Sequence, residues 1–147
     1  MYYSVTFVDS SGEKRNTWED WKLIPTSPPM IEPPEVYANI VEIPGRTLGP
    51  LDLSEVPFGH PSYKNSEGSW EFILDDGGFS RMELYLILKK FLHGRYMKIM
   101  LEEDPFHYYQ GRMSVGMPQT GNSNSVFTFD YVIAPVRYNL DDTVDSL

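Results

Sequence analysis

Along most of this chain, apolar and polar residues alternate in short runs, with the two-residue period of strands that bury one face. Residues 2–8 (YYSVTFV) mix aromatic and β-branched side chains and stop at Asp9-Ser10-Ser11-Gly12, which predicts a first strand and a hairpin turn. Runs at 36–43, 69–74, 96–101, 106–115 and 126–138 predict further strands, the last interrupted near Pro135. Pro44-Gly45, Asp75-Asp76-Gly77-Gly78 and the 122–124 loop punctuate them. Pro25, Pro28, Pro29, Pro33 and Pro34 exclude a helix or a central strand, leaving an extended connector or a sheet edge. Just before them, Trp18 and Trp21 are expected to plug one end of a β core, with a ligand-stacking platform as the alternative.

One stretch follows the helical period. The spacing predicts a helix over Arg81–His93, with Ser80 as N-cap, Glu83 completing a capping box and Phe79 stapling onto Leu84. Met82, Tyr85, Leu86, Leu88, Phe91 and Leu92 form the expected apolar face. Lys89, Lys90 and His93 complement the C-terminal dipole, and Gly94 suits a left-handed cap. Six or seven strands and one helix make the chain mainly β: a β-sandwich or partly open barrel with the helix packed on it. A single domain is expected over residues 1–140. It includes a Gly-, Pro-, Ser- and Asn-rich loop or arm at about 45–69, a length that in a compact domain marks a functional or disordered segment. Residues 141–147 read as an acidic tail without apolar periodicity, expected to be disordered.

Composition narrows the function classes. Aromatics make up 14% of the 147 residues, enough to bury a core and to argue against disorder. The net charge of −9 repels phosphate backbones and so opposes sequence-reading of nucleic acid, while leaving open a wall past which DNA slides. Without cysteine there is no disulfide, thiolate metal site or cysteine nucleophile. No apolar run reaches the roughly 20 residues that span a bilayer, and 1–9 lack a basic signal-peptide start, so a soluble protein made and used without export is expected.

The densest chemistry lies at 102–112, EEDPFHYYQGR. As a reactive site it offers Glu102, Asp104 and His107; as structure it is a hairpin turning at Asp104-Pro105, with Glu102 facing His107 across the strands. Such a cross-strand pair contributes about 0.2–1 kcal/mol, whereas a metal site needs three or four converging ligands. Neither His60 nor His93 has a ligand-spaced partner, and no nucleophile or phosphate-loop motif occurs, so no enzyme, metal or cofactor is expected. Tyr108 and Tyr109 point to opposite faces of a strand, predicting one in the core and one exposed.

The order of several short motifs carries more than any one of them. Trp18-x-x-Trp21 is followed by Ile43-Pro44-Gly45-Arg46, Leu51-Asp52-Leu53, Phe72-x-Leu74 and a helix ending Leu92-His93-Gly94-Arg95. Then come Lys98-Ile99-x-Leu101-x-x-Asp104-Pro105, Tyr108-Tyr109-x-Gly111-Arg112 and Ala134-Pro135-x-x-Tyr138. Over about residues 5–140 this series resembles the N-terminal domain of the distal tail proteins (Dit) of long, non-contractile-tailed, siphovirus-type bacteriophages and their prophage relatives. Tyr63-Lys64-Asn65-Ser66 departs from the pattern, which has an arginine after the asparagine. The resemblance implies a tail-tube-protein-like domain without catalysis, assembled as a six-fold ring in the virion. The ring joins the tail tube protein to baseplate or tail-tip proteins and passes DNA through its channel without specific binding, with no membrane involved. The expected contacts with other subunits or partners are Arg46, Asp52, Tyr63, Lys64, Tyr108, Tyr109 and Arg112. Longer family members carry a further C-terminal domain, often sugar-binding-like, which has no counterpart in these residues. From a different class, the competing reading is a small carbohydrate-binding sandwich that stacks sugars on Trp18, Trp21 or Tyr108.

Overall fold

Alternation along the chain becomes alternation of burial in the computed structural model, which describes residues 3–35, 40–41, 51–52, 63–75, 80–120 and 125–146. On the long strand β6 (Ser66–Leu74), Trp70, Phe72 and Leu74 are buried and Glu67, Ser69 and Glu71 exposed. On β10 (Ser125–Ile133), the buried set is Phe127, Phe129, Tyr131 and Ile133. With β1 (Val5–Val8), β2 (Lys14–Asn16), β3 (Leu23–Pro25), β7 (Arg95–Leu101) and β8 (His107–Val115) they form one antiparallel sheet in the order β2-β1-β7-β8-β10-β6-β3. The sheet curls into a half-barrel, consistent with the sandwich or open barrel expected from the sequence. Short ladders complete it: β9 (Gln119–Thr120) on β10, β11 (Arg137–Asn139) between β8 and β12 (Val144–Ser146), and a separate pair of β4 (Ile40–Val41) with β5 (Leu51–Asp52).

The concave face is closed by α1 (Arg81–Phe91). Ser80 caps it, its hydroxyl accepting from the Glu83 amide, and Gly94 takes the left-handed conformation (φ +72°) just beyond its end. His93 Nδ1 accepts from the Val115 amide at 3.1 Å, tying the helix exit to the end of β8. Leu84, Leu88 and Leu92 enter the core, with Tyr85 and Phe91 at its margin. Met82 and Leu86, expected on the apolar face, are instead 63% and 55% exposed. A helix on a curved sheet buries only the i, i+4, i+8 stripe that points into the concavity, and the broad apolar face leaves the rest outside.

Trp21 supplies the expected plug: its indole stacks on Phe7 (6.2 Å between centroids) and meets Phe91 edge-on (6.0 Å), joining sheet and helix. Trp18 is half-buried, with the Lys22 ammonium 4.9 Å from its ring centroid. Buried Thr17 closes the connection, its hydroxyl accepting from Val5 N and its carbonyl from Leu23 N. Pro25 ends edge strand β3, the position a residue without an amide donor tolerates. Beyond it the proline-rich segment is a strap: Trp70 Nε1 donates to Met30 O (2.8 Å), and Glu32 N donates to the Tyr131 hydroxyl (2.9 Å).

Two expectations are corrected. Residues 66–69, placed in the long arm, belong to β6, because Ser66–Gly68 continue the ladder with Tyr131–Ile133 of β10. The acidic tail is not disordered over 144–146: β12 pairs with β11. Its three-residue alternation is too short to register as a period in the sequence.

Two glycines make a paired test of this packing. A Cβ on Gly111 would lie 2.5 Å from Val132 O and 2.8 Å from Ile133 Cα, backbone atoms that cannot swing aside. On Gly116 it would meet nothing closer than Thr128 O at 3.6 Å. Gly111→Ala is expected to lower stability by about 1–3 kcal/mol, and Gly116→Ala by about 0.5 kcal/mol or less. Urea midpoints at unchanged slope check both.

Candidate functional site: a two-sided clasp on the end of β8

The chemistry-bearing stretch folds as the turn its proline suggests. Asp104 N donates to Leu101 O (3.0 Å), Phe106 is left exposed, and the chain returns as β8. Glu102 and His107 do not pair. The Glu102 carboxylate accepts from Ser4 N at 2.6 Å, a partner 98 residues away.

Asp104 is gripped instead by Arg137, whose Nε and Nη2 reach its two carboxylate oxygens at 3.1 and 3.2 Å. This two-point fork is the strong geometry for a guanidinium on a carboxylate. His107 Nδ1 lies 2.7 Å from both Asp104 Oδ1 and Arg137 Nη2, so it either donates to the carboxylate or accepts from the guanidinium. Asp145 of β12 closes the knot, 3.3 Å from Arg137 Nη1 and 3.8 Å from His107 Nε2. Burial alone would raise the Asp104 carboxyl, but the His107 and Arg137 hydrogen bonds and the Arg137 charge hold it below its ordinary 3.8. Donating to Asp104, more than the Asp104 charge, raises Arg137 in turn. The carboxylate lone pairs a metal would need are committed to a guanidinium, and among the described residues no cluster of acids and histidines could hold a metal ion. The knot is a structural fastening.

The opposite face of the same strand end carries a second fastening. Tyr108 and Tyr138 are cross-strand neighbours whose rings stack at 5.1 Å and 12°. The Tyr108 hydroxyl donates to Asp142 Oδ1 (2.6 Å), and Lys98 lies 3.6 Å from that carboxylate and 4.9 Å from the Tyr108 ring. Asp142 has φ +69°, a turn conformation that aspartate adopts more readily than most residues. Burial first, then the Asp142 hydrogen bond and charge, push the Tyr108 phenol up to about 12. Burial also raises Tyr109, which packs on the core margin. Neither tyrosine is exposed, because the Tyr138 ring and the Asp142 carboxylate lie against Tyr108 and the core margin takes Tyr109.

The residues expected at contacts are therefore scattered. Tyr108 and Tyr109 are held within the clasp, and Arg112, further along β8, is exposed, with Nη1 donating to Gly94 O (2.6 Å). Lys64 is exposed, its amide donating to Glu35 O and its ammonium 3.5 Å from the Glu35 carboxylate; Tyr63 beside it is half-buried. Asp52 pairs through its backbone with Ile40, and Arg46 lies outside the described residues. Trp21 and Tyr108 are buried, which removes two of the three proposed sugar-stacking platforms. The sequence reading missed Arg137, Tyr138, Asp142 and Asp145. The one available signal was an arginine and a tyrosine just ahead of an acid-rich end.

Titration should undo the clasp at both extremes. Folding lowers Asp104 and Asp142, the latter through Tyr108 and Lys98, so their contribution is present above pH 3.8 and lost as pH falls through their folded values. Tyr108 is raised, so its contribution is present below pH 10 and lost as pH rises through about 12. Amide exchange of 137–146 is expected to accelerate in acid before that of β10. One tyrosinate absorbance step is expected to be delayed to about pH 12 in the folded protein, and to move only part of the way back in Asp142→Asn, because burial remains the first cause of the shift.

No protein-family model matches the chain, and no curated protein matches it in sequence. Among solved structures it is similar to the crystal structure of SPP1 Dit (gp 19.1), described as a paradigm of hub adsorption apparatus in Gram-positive-infecting phages. The likeness has a TM-score of 0.61 at 16% identity and covers 92% of this chain and 52% of that one. At that identity the shared property is the fold, and the chain spans about half the length of the phage protein.

Proposed function

We propose that this chain is a structural component of a phage tail, a distal hub. Six copies form a ring between the tail tube and the baseplate or tail-tip proteins, and DNA passes through the channel. The observation that carries this reading is the likeness to the SPP1 hub protein over 92% of the chain. The chemistry of the chain agrees: its densest polar cluster is a fastening built around an arginine fork. Exposed Met82, Leu86, Phe106 and Met117 supply apolar surface of the kind that assembly covers. A charge of −9 repeated around a ring favours passage of DNA without trapping wherever the acids face the lumen. In this reading, residues 45–65 serve as an arm lying on the neighbouring subunit, a common way of closing rings.

Light scattering and negative-stain images of the purified protein test the assembly. Rings of six are expected, and deletion of residues 48–62 is expected to lower their yield. A strict monomer at high concentration, unchanged when the tail tube protein is added, would overturn the hub reading.

A further inference from the structure

The convex face of the sheet is electrically divided. Its β6–β10 half carries Glu67, Glu71 and Asp130, all exposed. Its β7–β8 half, walled by the Asp9–Gly12 turn, forms a groove of about 650 Å³ lined by Lys98 and Arg112, with Tyr96 and Gln110 between them and Arg95 at its end. Three of the twelve cationic residues of a strongly acidic chain are gathered there. Asp9 is the one acid of the wall, and its carboxylate is occupied by the Ser11 hydroxyl and amide and the Glu13 amide. Among the described residues, neither Arg95 nor Arg112 has a carboxylate within ion-pair distance. Lys98 is shared with Asp142 and the charge of Arg95 reaches Asp9, so the cluster is only partly compensated, and a ligand of opposite sign relieves the repulsion that remains.

We propose that this groove binds an extended acidic segment of a partner protein, with carboxylates at alternate positions. The register sets the spacing. Tyr96 lies opposite Arg112 and Lys98 opposite Gln110, so Lys98 and Arg112 are diagonal neighbours on one face. Such diagonals are about 7–8 Å apart, close to the roughly 6.6 Å between alternate side chains of an extended peptide. Arg95, one residue before Tyr96, supplies a third positive charge at the groove's end. The chain itself shows the chemistry: Lys98, on the groove's rim, already holds the carboxylate of Asp142 together with the Tyr108 hydroxyl. Tyr96, 51% exposed, offers a ring on which the segment's other side chains pack. A nucleic acid fits less well, because a long polyanion must also pass the acidic half of the face and the net charge of −9. The inference is independent of the hub reading, since the groove is complete within one chain.

The test uses the full chain and a short fluorescent peptide alternating Asp and Ser, with fluorescence anisotropy as readout. Binding that weakens with salt is expected, reduced about tenfold or more in the double variant Arg95→Gln/Arg112→Gln. Lys64→Gln/Lys89→Gln, with the same change of net charge at sites outside the groove, is expected to leave it within about twofold. Amide shift mapping on the unsubstituted protein is expected to place the peptide at 94–98 and 110–112, which keeps the test valid if the double variant folds poorly. No binding, equal loss in the two double variants, shifts confined to other residues, or tighter binding of single-stranded oligothymidylate of equal charge would each overturn the proposal.

Discussion

The arrangement rests on a chain of aromatic rings across the concave face. Trp21 stacks on Phe7, Phe7 meets Phe129 edge-on at 6.2 Å, and Phe129 packs on Phe72 at 5.0 Å. These rings come from the 17–23 connection, β1, β10 and β6, so one contiguous contact spans the curl and reaches α1 through Phe91. Rings of this size bury about 150–250 Å² each and prefer offset or edge contacts. That preference fixes how far the sheet curls: flattening it would pull the edge-on pairs apart, and tighter closure would drive the rings into one another. Position on either side of this chain then decides what each element can do.

On the concave side the chain satisfies its polar groups where it buries them. Trp70 and Tyr131, only 4.8 Å apart, turn their polar atoms to the proline-rich strap, and a Cβ at Gly68 would land on the Tyr131 hydroxyl. Among the described residues the convex side has no such lid over most of its area, and at the β8 end the chain supplies its own. The clasp grips that strand from both faces, through His107 on one side and Tyr108 on the other. Individually, exposed ion pairs contribute little. Here six charged or titratable groups and a stacked ring pair share one short strand end, and adding a network to a packed contact is the circumstance in which such pairs matter.

How much of this was legible follows from the range of each interaction. Period-two burial is written locally, so β6, β7, β8 and β10 could be read to within a few residues, as could the capped helix. Partner choice is not local. Glu102 looks like a partner for His107 at five residues' separation, yet the sheet order brings Ser4 to it, because β1 pairs with β7 in the register Val5 to Leu101. Arg137 and Asp104 meet only because β10 returns along β8 and β11 continues past it. Strands of three residues such as β2 and β12 have too little pattern to identify alone, and form because β1 and β11 offer them a free edge. The helix misled for a different reason: its apolar residues outnumber those one concavity can receive, and composition does not say which stripe wins.

That surplus and the divided convex face have a common consequence. A chain stabilised entirely from within has no use for Met82 and Leu86 in water, nor for an exposed Arg95 and Arg112 with no carboxylate within ion-pair distance among the described residues. Apolar surface left outside costs roughly 25 cal/mol per Å² relative to burying it, and clustered like charge adds its own repulsion. The two features lie on opposite sides of the sheet, one on the helix that closes the concavity and one on the convex strands. A single partner of ordinary interface size, about 800 Å² on each side, would have to wrap around the domain to cover both. Two separate contacts of different chemistry satisfy the same surface more simply: an apolar one along α1 and a charge-complementary one on β7–β8.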